Sequence, residues 1–255
     1  MKQVIFGESG NLAKHIIRAF PGIEVYSRKG NNIFDLDRPE DLIDRKIENS
    51  IVYFTAAVSS PEKCATEYEK CWRLNVENSI KIMRRLLEKG NKVVFFSSDA
   101  VYGETREIVT EDSIPSPDSA YGEMKYAVER SLREFEKFYV LRLSYIYTGD
   151  DSFSRYVCDV ENVALYTGFY RSVAHFSLLK KVLGDLHVGK INHAITNIVG
   201  PRCISRVELF HEICKAKKIS KKYQIQSAPE DFFSFRPEII NCASKYIQPK
   251  GIADC

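Results

Sequence analysis

No stretch of the chain reaches the ~18 consecutive apolar residues that a membrane-spanning helix needs, and the apolar run at its start, Val4-Ile5-Phe6, is too short for a secretory signal. No CxxC pair occurs. The cysteines (Cys64, Cys71, Cys158, Cys203, Cys214, Cys242 and Cys255) are scattered and odd in number. That argues against a bound metal or a disulfide framework and for a reducing, cytoplasmic setting. Neither sign of charge prevails: 37 Lys+Arg against 34 Asp+Glu leave +3 at pH 7. The excess is too small to mark a nucleic-acid partner, yet it favours an anionic ligand. Internal repeats and low-complexity segments are missing too.

What is present is ordinary globular material, 44% hydrophobic and 28% charged, which excludes general disorder. A length of 255 residues suits one α/β domain with a small appended lobe. The patterning alternates strand and helix. Gln3 to Phe6 is a short strand that stops at Gly7. Leu12, His15 to Ile17 and Phe20 then fall near one helical face, closed by Pro21-Gly22. Ile23 to Ser27 and Ile51 to Thr55 read as strands, and Arg38 to Asp44 as a short helix with Asp37 as its N-cap. Glu67 to Lys89 keeps one long helical pattern until Gly90-Asn91, and Lys92 to Ser97 is a strand buried on both faces. Tyr121 to Phe138 is helical and Tyr139 to Ser144 strand-like. This rhythm predicts a doubly wound parallel sheet over residues 1–148. Residues 149–255 form a smaller lobe interleaved with that sheet and not independent of it. Region 149–190 resists assignment, whereas Arg206 to Lys215 reads as a helix capped by Ser205.

Three signals bear on chemistry. Gly7-Glu8-Ser9-Gly10-Asn11-Leu12-Ala13 lies between the first strand and the first helix. There a glycine turn and a helix N-terminus can receive a pyrophosphate. The second strand ends in Ser27-Arg28-Lys29, two cations where an NAD site carries an acid, which favours NADP over NAD. In Tyr121-Gly122-Glu123-Met124-Lys125 a phenol and an ammonium four residues apart share one side of a helix. The ammonium would lower the phenol pKa toward the working range and could also hold a ribose. Ser97-Ser98-Asp99-Ala100-Val101-Tyr102-Gly103 closes the central strand at its carboxyl end, where a serine hydroxyl can meet a substrate oxygen.

In this order the three signals resemble the extended short-chain dehydrogenase/reductase family, in its nucleotide-sugar branch. The resemblance is close from Gln3 to Tyr147 and looser beyond. It implies a Rossmann-type fold, a nicotinamide cofactor (NADP favoured, NAD possible), a nucleotide-sugar substrate and a homodimer paired through helices. It selects Ser98 over Ser97 and makes Ser98, Tyr121 and Lys125 the catalytic set. Gly7, Ser9, Gly10, Asn11, Leu12, Arg28, Lys29, Asp35 and Leu36 would lie along the cofactor, with Tyr121 and Lys125. Ala56-Ala57, placed after the fourth strand, would lie under the nicotinamide, and Asn75 would support the site. Ser98, Asp99, Tyr145, Arg171, Arg202 and Arg236 would meet the substrate, the arginines through its phosphates.

Two absences narrow the branch. The dehydratases place an Asp-Glu pair after the serine, and GDP-fucose synthases a cysteine at the second of those positions; Ala100 stands there here. Ser-Asp before Val-Tyr resembles the dTDP-4-dehydrorhamnose reductase group, which implies NAD(P)H-dependent reduction of a 4-keto nucleotide sugar for a surface glycan. A 4-epimerase with tightly held NAD and a non-catalytic, cofactor-binding regulatory subunit are the alternatives. Only about twenty residues separate Thr148 from Arg171, so the substrate lobe is abbreviated. His175 reads as a hydrogen-bonded structural residue. Met124, Ala127, Val128, Leu132 and Phe135 form an apolar stripe open to a partner helix.

Overall fold

The computed structural model describes residues 1–29, 31–42 and 46–252; Cys255 and the end of the expected helix at Asp44 lie outside the described residues. In chain order the elements are β1 (Lys2–Phe6), α1 (Asn11–Ala19), β2 (Glu24–Tyr26), a 3₁₀ turn (Pro39–Leu42), β3 (Ser50–Phe54), α2 (Pro61–Thr66), α3 (Tyr68–Trp72), a π-helical turn (Arg73–Asn78), α4 (Ser79–Glu88) and β4 (Lys92–Ser98). A second 3₁₀ turn (Asp99–Tyr102), β5 (Thr105–Val109), α5 (Ala120–Leu132), β6 (Phe138–Leu143) and β7 (Tyr145–Tyr147) follow. The remainder is α6 (Ser152–Asp159), β8 (Asn162–Tyr166), β9 (Tyr170–His175), α7 (Phe176–His187), β10 (Ile195–Ile198), β11 (Cys203–Ser205), α8 (Arg206–Lys217), β12 (Lys222–Gln226) and β13 (Ile239–Cys242).

Six strands make one parallel sheet in the order β10-β6-β4-β3-β1-β2. Because side chains alternate along a strand, each strand feeds two cores. Val4 and Phe6 face one side with Val52, Phe54, Val93 and Phe95, where α4 and α5 cover them with Met83, Met124 and Val128. Ile5 faces the other with Ile51, Tyr53, Val94 and Phe96, under Ile16 of α1 and Leu179 and Leu183 of α7. The expected Rossmann-type sheet with helices on both faces is therefore present. The chain leaves β1 toward β2 and returns to β3 on its other side, so the strand order reverses between β1 and β3, and a crevice opens at such a reversal.

The second lobe is built around β11-β9-β13-β5, with β7 also paired to β9. It borrows β5 from the first half of the chain, which pairs with β13. It also returns β10 to the edge of the main sheet beside β6.

Four sequence expectations need correction. The helix expected over Glu67–Lys89 carries a π turn at Arg73–Asn78. Within it Asn75 accepts a hydrogen bond from Val58 N (2.8 Å) and donates one to Val58 O (2.9 Å), so the widened turn aims its amide at the loop after β3. The helix expected over Tyr121–Phe138 stops at Leu132, because Phe138 is already paired with Val93 in the sheet. Helical spacing of Leu132 and Phe135 hides that end. Ala56-Ala57 follow the third strand in chain order, not the fourth. Finally, the stripe expected to meet a partner helix belongs to this chain's own core: Met124, Val128 and Leu132 are fully buried, and Ala127 and Phe135 pack against them.

Candidate active site

The crevice at the strand-order reversal is a cleft of about 1130 Å³. Its floor is the turn from β1 into α1. Gly7 sits at φ +98°, and a Cβ there would crowd Thr55 Oγ1 at 3.1 Å and Ala56 N at 3.2 Å, so the chain needs glycine at this turn. At Gly10, the N-cap of α1, a Cβ would meet nothing within 4 Å, which leaves the helix N-terminus open to a ligand. Ser9, Arg28, Lys29, Asp35, Leu36, Ala56 and Ala57 line the cleft. Lys14, Arg18 and Lys70 line it too and were not anticipated; Lys14 and Arg18 follow Gly10 at helical spacing, which is the signal that marks them. The volume, the glycine turn and the free helix end fit a dinucleotide.

Two expected cofactor residues turn elsewhere. The Asn11 amide donates to Asp150 Oδ1 (2.9 Å) and accepts from the Thr148 hydroxyl (2.9 Å), while Leu12 packs against the second core. Asn11 ties α1 to the loop after β7 and Leu12 ties it to the core, so both leave only backbone for a ligand.

Beyond the loop after β3, the carboxyl end of β4 meets the start of α5. Gly122 approaches Ala100 so closely that a Cβ would stand 2.3 Å from Ala100 O. Tyr121 and Ser98 therefore stand on two touching segments. The Ser98 hydroxyl is oriented: it accepts from Ala100 N (3.2 Å) and donates to Asp99 Oδ1 (3.2 Å). The Ser97 hydroxyl is instead consumed in a buried network, donating to Glu129 (2.5 Å), which pairs with Arg142 at 2.6 Å. The two serines are thus separated by what their hydroxyls touch. Burial holds the Asp99 carboxyl above the usual carboxylate range, against the pull of Arg171 and the Ser144 and Ser98 hydroxyls.

Lys125 is buried, donates to Phe96 O at 2.8 Å, and stands over the rings of Phe95 (4.8 Å) and Tyr121 (5.6 Å). Burial brings its pKa down to about 8, with Cys64 and Glu129 opposing. The Tyr121 phenol is pushed up, by burial first and then by Cys64 and Asp99. The expectation that Lys125 lowers it is corrected. The ammonium bonds a carbonyl and overlies the ring, and desolvation of the phenolate dominates.

The substrate residues divide. Arg171 donates three of its N–H groups to the carbonyls of Tyr170 (2.6 Å), Pro237 (2.6 Å) and Glu238 (2.9 Å). Arg236 stands nearby over the Phe232 ring at 4.6 Å, with its buried Nε unpartnered. Arg202 is exposed and paired with Glu208 (2.5 Å) and Glu212 (3.4 Å), a surface ion pair apart from that cluster. The Tyr145 hydroxyl donates to Asp151 and so is held within the lobe. His175 caps α7 by accepting from Ser177 N at 3.1 Å, the structural role expected of it.

The family profile described as RmlD substrate binding domain matches residues 1–163. The chain belongs to that family. Among its relatives, dTDP-4-dehydrorhamnose reductase of Salmonella typhimurium is 26% identical over 159 residues, covering 58% of this chain and 52% of the relative. The reductase of Escherichia coli K12 matches over the same shares at the same identity. The chain thus aligns with about half the length of the curated relatives it matches. The fold extends further. The dTDP-4-dehydrorhamnose reductase of Bacillus anthracis in complex with NADP superposes with a TM-score of 0.83 at 18% identity, over 99% of this chain and 96% of that one. MoeE5 in complex with UDP-glucuronic acid and NAD does so at 0.77 and 21% identity, over 96% and 90%. No helix among the described residues is long and apolar enough to cross a membrane.

Proposed function

We propose that this protein reduces the C4 ketone of a nucleotide-linked sugar with a reduced nicotinamide dinucleotide, in the making of a deoxysugar or modified sugar. The observation that carries the reading is the junction of Ser98 and Tyr121 on segments in contact, with Lys125 over the phenol ring, in a chain that also has a cleft at its glycine turn. The bound nicotinamide supplies the hydride. Ser98, positioned by the Ala100 N–H, turns its one hydroxyl proton from Asp99 to the ketone oxygen when substrate is bound. Tyr121 delivers its proton to the same oxygen, and its raised pKa suits that direction, because a reduction needs the phenol protonated at the start. Lys125 holds positive charge beneath the ring as the phenolate forms.

NADP is the favoured cofactor. Lys14, Arg18, Arg28 and Lys29 all line the cleft, a surplus of cations suited to a 2′-phosphate. The cytoplasm is its proposed setting, supported by cysteines that are free at all six described positions.

The test is consumption of NADPH, followed at its absorbance band, on addition of 4-keto nucleotide sugars linked to dTDP, UDP or GDP. Stoichiometric oxidation is expected, with Tyr121→Phe slowing kcat by about 10²–10⁴ while NADPH still binds. Replacing Arg28 and Lys29 together by alanine should erase the preference for NADPH over NADH. No oxidation with the whole panel, or an unchanged Tyr121→Phe enzyme, overturns the reading. Cofactor that stays bound and unconsumed during turnover would make the enzyme an epimerase instead.

A further inference from the structure

Glu8 stands in the glycine turn, half-buried, and lines the cleft together with Ser27, Arg28 and Lys29. Gly7 N donates to Tyr26 O at 2.8 Å, so the turn and the end of β2 form one corner. Ser27 is buried in that corner, and its backbone is fixed by bonds from Ser27 N to Asn32 O (3.0 Å) and from Phe34 N to Ser27 O (2.7 Å). Its hydroxyl accepts from Lys29 N at 3.2 Å and has one proton to give. Glu8 Oε1, at 2.8 Å, and Lys29 O both lie within reach, and the carboxylate is the stronger acceptor because it is charged. Ser27 thereby holds the Glu8 carboxylate at the end of β2. The second oxygen of that carboxylate, Oε2, has no partner among the described residues.

In a dinucleotide site the acid that takes the adenosine ribose 2′-hydroxyl stands at the end of the second strand, about twenty residues beyond the glycine turn. Ser27-Arg28-Lys29 supplies no acid from that strand. Glu8 brings a carboxylate to the same place from the other side of the corner, which residue order alone does not reveal. Two other acids of the cleft turn to other partners: Asp35 Oδ1 accepts from Asp37 N at 3.1 Å, and Asp37 pairs with Arg73 at 2.9 Å. Arg28 and Lys29 form no ion pair among the described residues. The corner thus holds two cations that attract a 2′-phosphate and one carboxylate that repels it and accepts hydroxyls.

We infer that Glu8, placed by Ser27, is a specificity-determining residue of the cofactor site. It accepts the ribose hydroxyls of NADH and opposes the 2′-phosphate of NADPH, so the site takes both dinucleotides and the advantage that Arg28 and Lys29 give NADPH stays small. The inference rests on the dinucleotide part of the proposed function and goes beyond it, since cations alone would make the site strict for NADPH. The two dinucleotides carry the same nicotinamide, so Glu8 bears on which of them is bound and not on the hydride transfer.

The test titrates the ligand-free full chain with ADP-ribose and 2′-phospho-ADP-ribose, which present the ribose in both forms without the nicotinamide, and then with NADH and NADPH. Wild type should bind the 2′-phosphorylated ligand of each pair no more than about tenfold tighter than the other, because the opposing charges nearly cancel. Glu8→Gln keeps the size of the side chain and removes its charge. It should tighten 2′-phospho-ADP-ribose by about tenfold and weaken ADP-ribose by about tenfold, the worth of one charged interaction each, so that the ratio moves by about 100-fold. Ser27→Ala, which frees the carboxylate, should move the ratio the same way by less. A merely structural Glu8 would change both ligands alike and leave the ratio where it was. An unchanged ratio in Glu8→Gln overturns the inference and leaves the dinucleotide site in place, as does a wild type that already prefers the 2′-phosphorylated ligands by about 10³-fold or more. Binding of none of the four ligands by the wild type overturns the dinucleotide reading and the inference with it.

Discussion

At the scale of single residues, Lys125 shows what a buried cation does to the site and to the fold together. Its ammonium has left water for a carbonyl and two ring faces, and its pKa falls from 10.5 to about 8. The unfolded chain therefore holds more protons than the folded one between those two values. Stability must rise with pH across that window, and below it burial of the charge costs its full amount. Between about pH 7.5 and 9.5 the ligand-free protein should gain about 2 kcal/mol relative to Lys125→Met, which lacks the group. Urea unfolding of both proteins at the two pH values measures it, and parallel curves would contradict the burial. Residue identities carried much of this site in advance: a tyrosine and a lysine one helical turn apart, and a serine at a strand end. Side-chain direction did not. Nothing in Ser97-Ser98 says which hydroxyl Glu129 takes, nothing in Asn11 announces Asp150, and Arg202 and Arg206 are both arginines near a helix start until one is seen on the surface and the other between two phenylalanines.

At the scale of elements, catalytic geometry depends on how closely α5 approaches the 3₁₀ turn after β4. Gly122 sets that distance, because any Cβ would meet the backbone oxygen of Ala100 at 2.3 Å, and backbone cannot yield as a flexible side chain can. Gly122→Ala should force the two segments apart, at a cost of about 1–3 kcal/mol as overpacking does. Displacing Tyr121 from Ser98 by about 1 Å should lower kcat by about 10², with NADPH affinity little changed. Gly184→Ala is the control, since α7 leaves open space at that position and the change should stabilise by about 0.5–1 kcal/mol. Comparing kcat and melting temperature of both variants checks the argument; equal activity in the two would defeat it. The element pattern itself was readable wherever hydrophobic period and a glycine or proline stop agreed, as in β1, α1 and β4. It failed where the period continued past the real boundary. Leu132 and Phe135 keep helical spacing after α5 has ended, and Arg73–Asn78 reads as ordinary helix although one extra residue has widened the turn.

At the scale of the whole molecule, the part of the chain that matches the family leaves strand pairings and core contacts to the remainder. Residues 1–163 hold the glycine turn, the catalytic candidates and most of the parallel sheet. They lack β10, which pairs with β6 at the sheet edge, and β13, which pairs with β5. They also lack α7, whose Leu178, Leu179, Val182, Leu183 and Leu186 are buried against the face made by Ile5, Ile51, Tyr53 and Val94. These pairings join distant parts of the chain, so local periodicity reveals the strands but not their partners. Each fully buried leucine or isoleucine contributes about 2–5 kcal/mol when truncation is the measure. Loss of four leucines and a valine from one face matches or exceeds the 5–15 kcal/mol that a typical domain has in total. A fragment of residues 1–163 should therefore show no cooperative thermal transition by circular dichroism and no saturable binding of NADPH, although it contains every residue of the cleft. A cooperative transition accompanied by cofactor binding would mean that the sheet closes without its second lobe, and the two halves would then be separable domains.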